Sequence, residues 1–205
     1  MKKAALGICV LAAALTVAMP VQAEEEGPFM VRLRLVNMQV DNGNSPNAAA
    51  GEVEVDDKVF PEIDFSYFFT PNLAAELVLT YPLKHDVKLG GTDIGSIKRL
   101  PPSLLLQHHF TPGERFKPYV GAGLNYTHFS SVDLDVPGAD IDRRSFGVAL
   151  QAGVDIRLAK HWYLNFDVKY IDIDTDVSVN GTKLTTLEVD PMLYNIGIGY
   201  RFQAR

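Results

Sequence analysis

The sequence predicts an all-β protein, an eight-stranded antiparallel transmembrane β-barrel with long extracellular loops and short periplasmic turns. Three observations carry this reading. Apolar and polar residues alternate with period two along eight successive segments, while no 3.6-residue period persists. The connections between those segments alternate short and long. The chain opens with an export signal, and beyond it no run approaches the roughly eighteen apolar residues that a membrane helix requires.

The export signal comes first. Met1-Lys2-Lys3 is a cationic start, residues 4–19 are an apolar stretch, and Val21-Gln22-Ala23 supplies the small-residue cleavage pattern before Glu24. Residues 1–23 read as a bacterial secretory signal peptide, leaving residues 24–205 as one barrel domain. An N-terminal membrane anchor is the competing reading, and the short run with a good cleavage site argues against it. Of 205 residues, 19 are Lys or Arg and 25 are Asp or Glu, and losing Lys2 and Lys3 deepens the formal net charge of −6 by two. This acidic balance argues against nucleic acid as a partner. The single cysteine, Cys9, leaves with the leader, so a disulfide framework, a thiolate metal site and a cysteine nucleophile are excluded from the mature chain.

The strands follow in order. The first sets Phe29, Val31, Leu33 and Leu35 against Met30, Arg32, Arg34 and Val36. The second sets Val59, Pro61, Ile63, Phe65 and Tyr67 against Phe60, Glu62, Asp64 and Ser66. In the third, Ala75, Leu77, Leu79, Tyr81 and Leu83 oppose Ala74, Glu76, Val78, Thr80 and Lys84. In the fourth, Leu100, Pro102, Leu104, Leu106 and Phe110 oppose Arg99, Ser103, Leu105, Gln107 and His109. The fifth separates Val120, Ala122, Leu124 and Tyr126 from Gly121, Gly123, Asn125 and Thr127. The sixth separates Phe146, Val148, Leu150, Ala152, Val154 and Ile156 from Gly147, Ala149, Gln151, Gly153, Asp155 and Arg157. The seventh places Trp162, Leu164, Phe166, Val168 and Tyr170 opposite Asn165, Asp167 and Lys169. The eighth places Met192, Tyr194, Ile196, Ile198, Tyr200 and Phe202 opposite Asn195, Gly197, Gly199 and Arg201.

Thr70-Pro71-Asn72, residues 111–118 and Ala159-Lys160-His161 make the short turns. Residues 41–56, 86–98, 130–143 and 172–188 make long connections rich in Asp, Gly and Asn. Asn180-Gly181 in the last is a type I′ hairpin signal, so its flanking strands should extend beyond the wall. An even strand number with both termini at the short-turn end is the plan of an outer-membrane barrel.

Which face meets what decides between a soluble and a membrane barrel. A lipocalin-like barrel is apolar inside, whereas a membrane barrel turns its apolar wall to lipid and its polar side to the lumen. Here one face is almost purely Leu, Ile, Val, Phe and Tyr, and such a wall would aggregate in water. The other combines glycines with charges, as a crowded polar lumen requires. Phe69, Phe110, Trp162, Tyr200 and Phe202 near one end, and Tyr81, Tyr126 and Phe129 near the other, fit two interfacial girdles.

Several stretches resemble the OmpW-type small outer-membrane barrels. They are Leu73-Ala74-Ala75-Glu76-Leu77, Thr80-Tyr81-Pro82-Leu83-Lys84-His85, Leu100-Pro101-Pro102-Ser103-Leu104 and the run Lys117-Pro118-Tyr119-Val120-Gly121-Ala122-Gly123-Leu124-Asn125-Tyr126-Thr127. Gln151-Ala152-Gly153-Val154-Asp155, Tyr170-Ile171-Asp172-Ile173-Asp174-Thr175 and Gly199-Tyr200-Arg201-Phe202 complete the set in the same order. The resemblance implies an eight-stranded barrel of the bacterial outer membrane that admits small hydrophobic compounds, and a C-terminal aromatic signal read by the barrel-assembly machinery. Two departures stand out. Gln203-Ala204-Arg205 follow the terminal Phe, and Lys169 stands where the family often carries an aromatic.

The residues themselves suggest a mechanism. Arg32, Arg34, Asp64, Glu76, Asp155, Arg157 and Asp167 should pair into a lumen plug, since a small barrel leaves room only for side chains and an unpaired charge there costs several kcal/mol. Above the plug the inner face is less charged. An upper pocket with a lateral gap is expected from Val78, Thr80, Pro82, Leu100, Pro101, Pro102, Ser103, Leu105, Lys169 and Ile171. Proline cannot donate to a ladder, so Pro82 and Pro101-Pro102 on neighbouring strands weaken the wall where a solute could leave sideways into lipid. The prolines would otherwise simply mark bends or bulges. Outer-membrane lipid and lipopolysaccharide are the expected surroundings and small hydrophobic solutes the expected cargo.

Other motifs carry less. Asp172-x-Asp174-x-Asp176 starts like a calcium loop, but Val177 and Lys183 stand where glycine and glutamate are needed. A solvated acidic loop, bridging divalent ions to lipopolysaccharide, fits it better. His108-His109 point to opposite faces of a strand, which is poor metal geometry. Gly121-Ala122-Gly123 lacks the third glycine and the helix of a dinucleotide site. No cofactor, metal or catalytic residue is therefore expected. A lipid-modifying barrel enzyme would have to draw on His85, His128, Ser130, Ser131 and Asp133, whose spacing does not support it. A structural or adhesin-like barrel with a plugged lumen is the other alternative.

Overall fold

The computed structural model describes residues 26–43, 53–55, 57–89, 92–110, 115–134, 139–179 and 182–203. The leader, the Asn180-Gly181 turn and the terminal Ala204-Arg205 lie outside the described residues. The strands are β1 (Glu26–Gly43), β2 (Val53–Val55), β3 (Lys58–Thr70), β4 (Leu73–Thr80), β5 (Leu83–Leu89), β6 (Thr92–Leu100) and β7 (Ser103–His109). They continue as β8 (Phe116–Leu134), β9 (Ala139–Ile141), β10 (Arg144–Arg157), β11 (Trp162–Ile171), β12 (Asp174–Val179) and β13 (Thr182–Gln203).

Among the described residues, eight of these strands form a closed antiparallel ring in the order β1, β3, β4, β7, β8, β10, β11 and β13. The first and last strands seal it, from Met30↔Arg201 to Gly43↔Glu188. Among the described residues, closure gives each strand of the ring a partner on both sides, the condition for most of its backbone amides to sit in hydrocarbon. On the long-loop side β5 and β6 prolong β4 and β7 as a hairpin, β2 adds to β5, and β12 prolongs β11 against β13 and β9.

The alternation read from the sequence maps onto inside and outside. Leu33, Leu124 and Phe146 are 62%, 67% and 76% exposed, whereas Arg32, Asp64 and Glu76 are 0% exposed. A chain that buries its charges and displays its largest apolar side chains is folded for a lipid solvent. The short-turn end carries an outward aromatic belt, with ring centroids 5.0 Å apart for Trp162–Tyr200, 5.1 Å for Tyr200–Phe202 and 5.2 Å for Tyr67–Phe69. At the other end Tyr126 packs on Phe146 at 4.9 Å, and Tyr81 is exposed.

Two expectations require correction. Phe129 belongs to no outer girdle. It is 3% exposed and faces the lumen, because β8 keeps its phase from Tyr119 through Asn125 and Thr127, all buried. The third and fourth predicted strands are each broken in two, at Tyr81-Pro82 and at Pro101-Pro102. Proline has no N–H for the ladder, so regular pairing stops there. The phase slips across the first break: Leu83 turns inward, 2% exposed, and Lys84 turns outward, the reverse of strict alternation.

Candidate functional site: a tiered lumen

The lumen is layered from the short-turn end upward. At its floor Glu26, the first described residue, gathers three cations. Its carboxylate accepts from Lys117 Nζ at 2.6 and 2.7 Å, Arg157 Nη2 at 2.6 Å and Arg201 Nη1 at 2.6 Å, and from the Tyr163 hydroxyl. These partners lie on β8, β10, β13 and β11, so one carboxylate ties the start of β1 across the barrel mouth. Arg201 also lies 3.9 Å from the Phe68 ring centroid. Arg157 thus sits apart from the central plug in which the sequence placed it. It ends β10, two residues below Asp155, which is about 7 Å along a strand.

The central plug comes next. Arg32 Nη1 donates to Asp64 Oδ1 at 3.1 Å, Ser66 Oγ at 2.7 Å and Glu76 Oε1 at 3.4 Å. Its Nε and Nη2 form a two-pronged pair with Asp155 at 3.1 and 2.7 Å. Arg34 reaches Asn165 Oδ1 at 2.8 Å, Glu62 Oε1 at 3.3 Å, Glu76 Oε1 at 3.0 Å and the Tyr119 hydroxyl at 3.2 Å. Asp167 accepts from Tyr119 at 3.2 Å and from the Asn195 side-chain amide. Both guanidiniums span the lumen from β1, and the planar fork suits paired carboxylate oxygens. Their inward path needs small neighbours. A Cβ on Gly197 would stand 2.3 Å from Leu33 O and 2.8 Å from Arg34 Cγ.

Lys169 closes the top of this tier. It is fully buried and donates to both Glu62 oxygens, at 3.2 and 3.4 Å. Lys169 thus extends the plug by one ion pair.

Above Lys169 the lumen becomes apolar. Val36, Met38, Phe60, Val78, Leu83, Leu105, Ala149, Ile171, Ile173 and Leu193 form one buried cluster around a cavity of ≈20 Å³, space for about one water molecule. Of the residues proposed from the sequence, Val78, Thr80, Pro101, Ser103, Lys169 and Ile171 line this cavity, and Leu105 is buried in the cluster beside it. Pro82, Leu100 and Pro102 do not line it. Pro82 is exposed and the other two are half-buried, at the interrupted part of the wall. Sequence reasoning missed Met38, Leu83, Arg99 and Leu193 in the chamber, and Glu26, Tyr119 and Asn165 in the lower tiers. Strict parity from Met30, Gly121 and Asn195 would have found Met38, Tyr119 and Leu193.

Beside the chamber the wall is held unequally. On one flank Asn125 Nδ2 donates to Pro101 O at 3.3 Å, Pro102 O at 3.2 Å and Ser103 Oγ at 2.9 Å, and Tyr126 N–H bonds Pro102 O at 3.0 Å. On the other flank the β4–β7 ladder ends at Val78↔Ser103, and pairing resumes only at Leu83↔Arg99 between β5 and β6.

Among the described residues no group of three or more His, Cys, Asp or Glu is placed to hold a metal. His108 is exposed and His109 buried, on opposite faces. The side chains of Asp174 and Asp176 lie outside the described residues, as do those of His85, Ser131 and Asp133. His128 is half-buried and Ser130 exposed.

A closed eight-strand ring with an ion-paired lumen and an apolar exterior narrows the class to small membrane barrels, and the OmpW family model matches residues 25–202. The chain belongs to the OmpW family. It is 38% identical to the outer-membrane protein y4mB of Sinorhizobium fredii, over 97% of this chain and 93% of that one. It is 32% identical to outer membrane protein W of Vibrio cholerae, over 98% of this chain and all of that one. The crystal structure of the outer membrane protein OprG from Pseudomonas aeruginosa superposes with a TM-score of 0.73 at 31% identity, covering 90% of this chain and 100% of OprG. This OmpW-family barrel is an outer-membrane protein, and its exposed apolar wall is the surface that meets lipid.

Proposed function

We propose that this barrel passes small apolar solutes from the cell exterior into the outer membrane, taking them into the upper chamber and releasing them sideways through the wall. The observation that carries this reading is the interruption of pairing beside the chamber, between Val78↔Ser103 and Leu83↔Arg99. Thr80 and Pro101 within that interruption line the cavity. The ion-paired tiers below leave an apolar solute no favourable way down, since entering them would desolvate or part buried charges. A gap in the wall leads instead to acyl chains, where the solute's transfer is favourable.

The same proposal includes the biogenesis. Residues 1–23 are a leader removed after Ala23, and residues 24–205 are the mature barrel, inserted by the barrel-assembly machinery through the aromatic C-terminal strand. Lipopolysaccharide surrounds the long-loop end.

Pro101 is the position to test. Pro102 O is already engaged by Tyr126 on β8, and successive residues of a strand point their backbone groups to opposite sides, so the N–H missing toward the gap is that of Pro101. Replacing Pro101 by Val and Pro102 by Thr restores a ladder donor worth about 1 kcal/mol. Protein-dependent uptake of a labelled apolar solute by proteoliposomes is expected to fall roughly fivefold. Unchanged uptake would contradict the lateral route. The small size of the cavity favours a second reading, a structural barrel with a permanently filled lumen. Wild-type proteoliposomes that take up no more solute than protein-free vesicles would establish it.

A further inference from the structure

The outer wall carries a basic cluster near its long-loop end that neither the chamber nor the plug uses. His128 on β8 is paired directly with Arg144 on β10 and with Leu100 on β6, and Lys98 is one outward position further along β6. Arg144 and Lys98 are exposed, and among the described residues neither side chain is ion-paired. Since β6 and β10 flank β8, the two cations stand two strand spacings apart, about 10 Å sideways, which long basic side chains can bridge around one small anion. Lys84, opposite Lys98, and the exposed Asp142, two residues before Arg144, have interactions of their own and take no part. With a formal net charge of −6, the chain has no general excess of cations to scatter here.

The aromatic girdle sets the height of the cluster. Tyr126 packs on Phe146 at 4.9 Å, and His128 and Arg144 are the next outward positions toward the loops, about 7 Å further on. Girdle rings sit at headgroup level, so cations one step beyond them meet lipid phosphates rather than acyl chains. The half-buried His128 ring fits such a neighbour. Its Nδ1 is covered and has no hydrogen-bond partner, so a hydrogen there would be a buried donor without an acceptor. The neutral ring therefore keeps its hydrogen on Nε2, the nitrogen that can serve an acceptor outside the protein.

We infer that Lys98, His128 and Arg144 seat one phosphate of the lipid A part of lipopolysaccharide, whose acyl chains run down the wall past Tyr126 and Phe146. A phosphomonoester carries more than one negative charge and three acceptor oxygens, so it engages two cations and a neutral donor together. Below the girdle the exposed Leu124 and Val148 continue the same outer face and give the chains an apolar bed. The site stands whether or not a solute passes through the barrel.

The test titrates the full barrel in detergent micelles with bisphosphorylated lipid A and with lipid A stripped of both phosphates, reading bound lipid by native mass spectrometry. The phosphorylated form is expected to bind about fiftyfold more tightly. Lys98→Gln and Arg144→Gln should each weaken its binding about fivefold, and His128→Phe about threefold. The double variant Lys98→Gln with Arg144→Gln should bring the phosphate preference to within about threefold, and Arg144→Lys should keep most of it. Lys160→Gln, a control at the short-turn end, should change nothing. Equal binding of the two lipids by the wild type, or an equal loss in Lys160→Gln, would overturn the site. Loss of binding on adding a chelator would overturn direct seating in favour of a metal bridge. Displacement by millimolar inorganic phosphate would overturn the lipid as the ligand in favour of the free anion.

Discussion

Replacing Arg32 by Met is expected to lower the unfolding free energy of the barrel by about 3–5 kcal/mol. Arg32 is 0% exposed and its guanidinium holds Asp64, Glu76 and Asp155, carboxylates from β3, β4 and β10. Methionine fills much of the same volume, so the loss comes from Asp155 left without its cation, and from Asp64 and Glu76 left with one cation instead of two, rather than from a void. Arg34 already pairs with Asp64 at 3.2 Å and Glu76 at 3.0 Å and keeps those two, but its donors do not reach Asp155, which loses its cation outright. The ion pairs are a specification of the closed lumen as much as a source of stability, since a fully apolar replacement of such a group can be neutral. Combining Arg32→Met with Asp64→Asn and Asp155→Asn should therefore recover at least half of the loss. Urea titration of the folded, heat-modifiable form in lipid vesicles measures both. A single variant as stable as wild type would mean that the plug charges are already compensated by something other than Arg32.

The second large effect is expected at Gly153, where Val should cost about 3 kcal/mol or more and leave much of the protein unable to close. Gly153 is paired directly with Tyr119 across β10 and β8. A Cβ there would stand 2.5 Å from the Tyr119 Cζ and hydroxyl oxygen, and 2.7 Å from Phe166 O. Neither neighbour can retreat. The Tyr119 hydroxyl is fixed between Arg34, Asn165 and Asp167, its ring stacks on His109 at 4.9 Å, and Phe166 O belongs to the wall. The readout is the fraction of refolded chain that shows the compact band on unheated gels. Normal folding of Gly153→Val would show that Tyr119 does not need to lie across that position.

The sequence made the architecture legible because a membrane barrel writes inside and outside as strict alternation, and the glycines and charges fell on the phase opposite to Leu33, Leu124 and Ile198. Individual lumen residues were legible wherever parity held without interruption, as for Arg32, Asp64, Glu76, Asp155 and Asp167. Parity failed where the chain itself fails to pair. Past Tyr81-Pro82 the phase slips, so Leu83 entered the chamber and Lys84 left it. The tier boundaries were illegible for a different reason. Whether Arg157 joins Asp155 or Glu26, and whether Lys169 lines a channel or caps a plug, depends on which strands are level with one another around the ring. That stagger is a property of the closed sheet, not of any one strand. Glu26 was missed because nothing in Glu24-Glu25-Glu26 distinguishes a clamp from a solvated acidic tail.

In the proposed route, solutes leave through the wall above a floor that stays shut. The most direct measurement follows a labelled apolar solute and ionic current together in bilayers containing the purified barrel. Protein-dependent arrival of label in the lipid phase, with no stepwise ionic conductance, is the expected result. Discrete current steps that scale with inserted protein, accompanied by label appearing in the water on the far side, would contradict it.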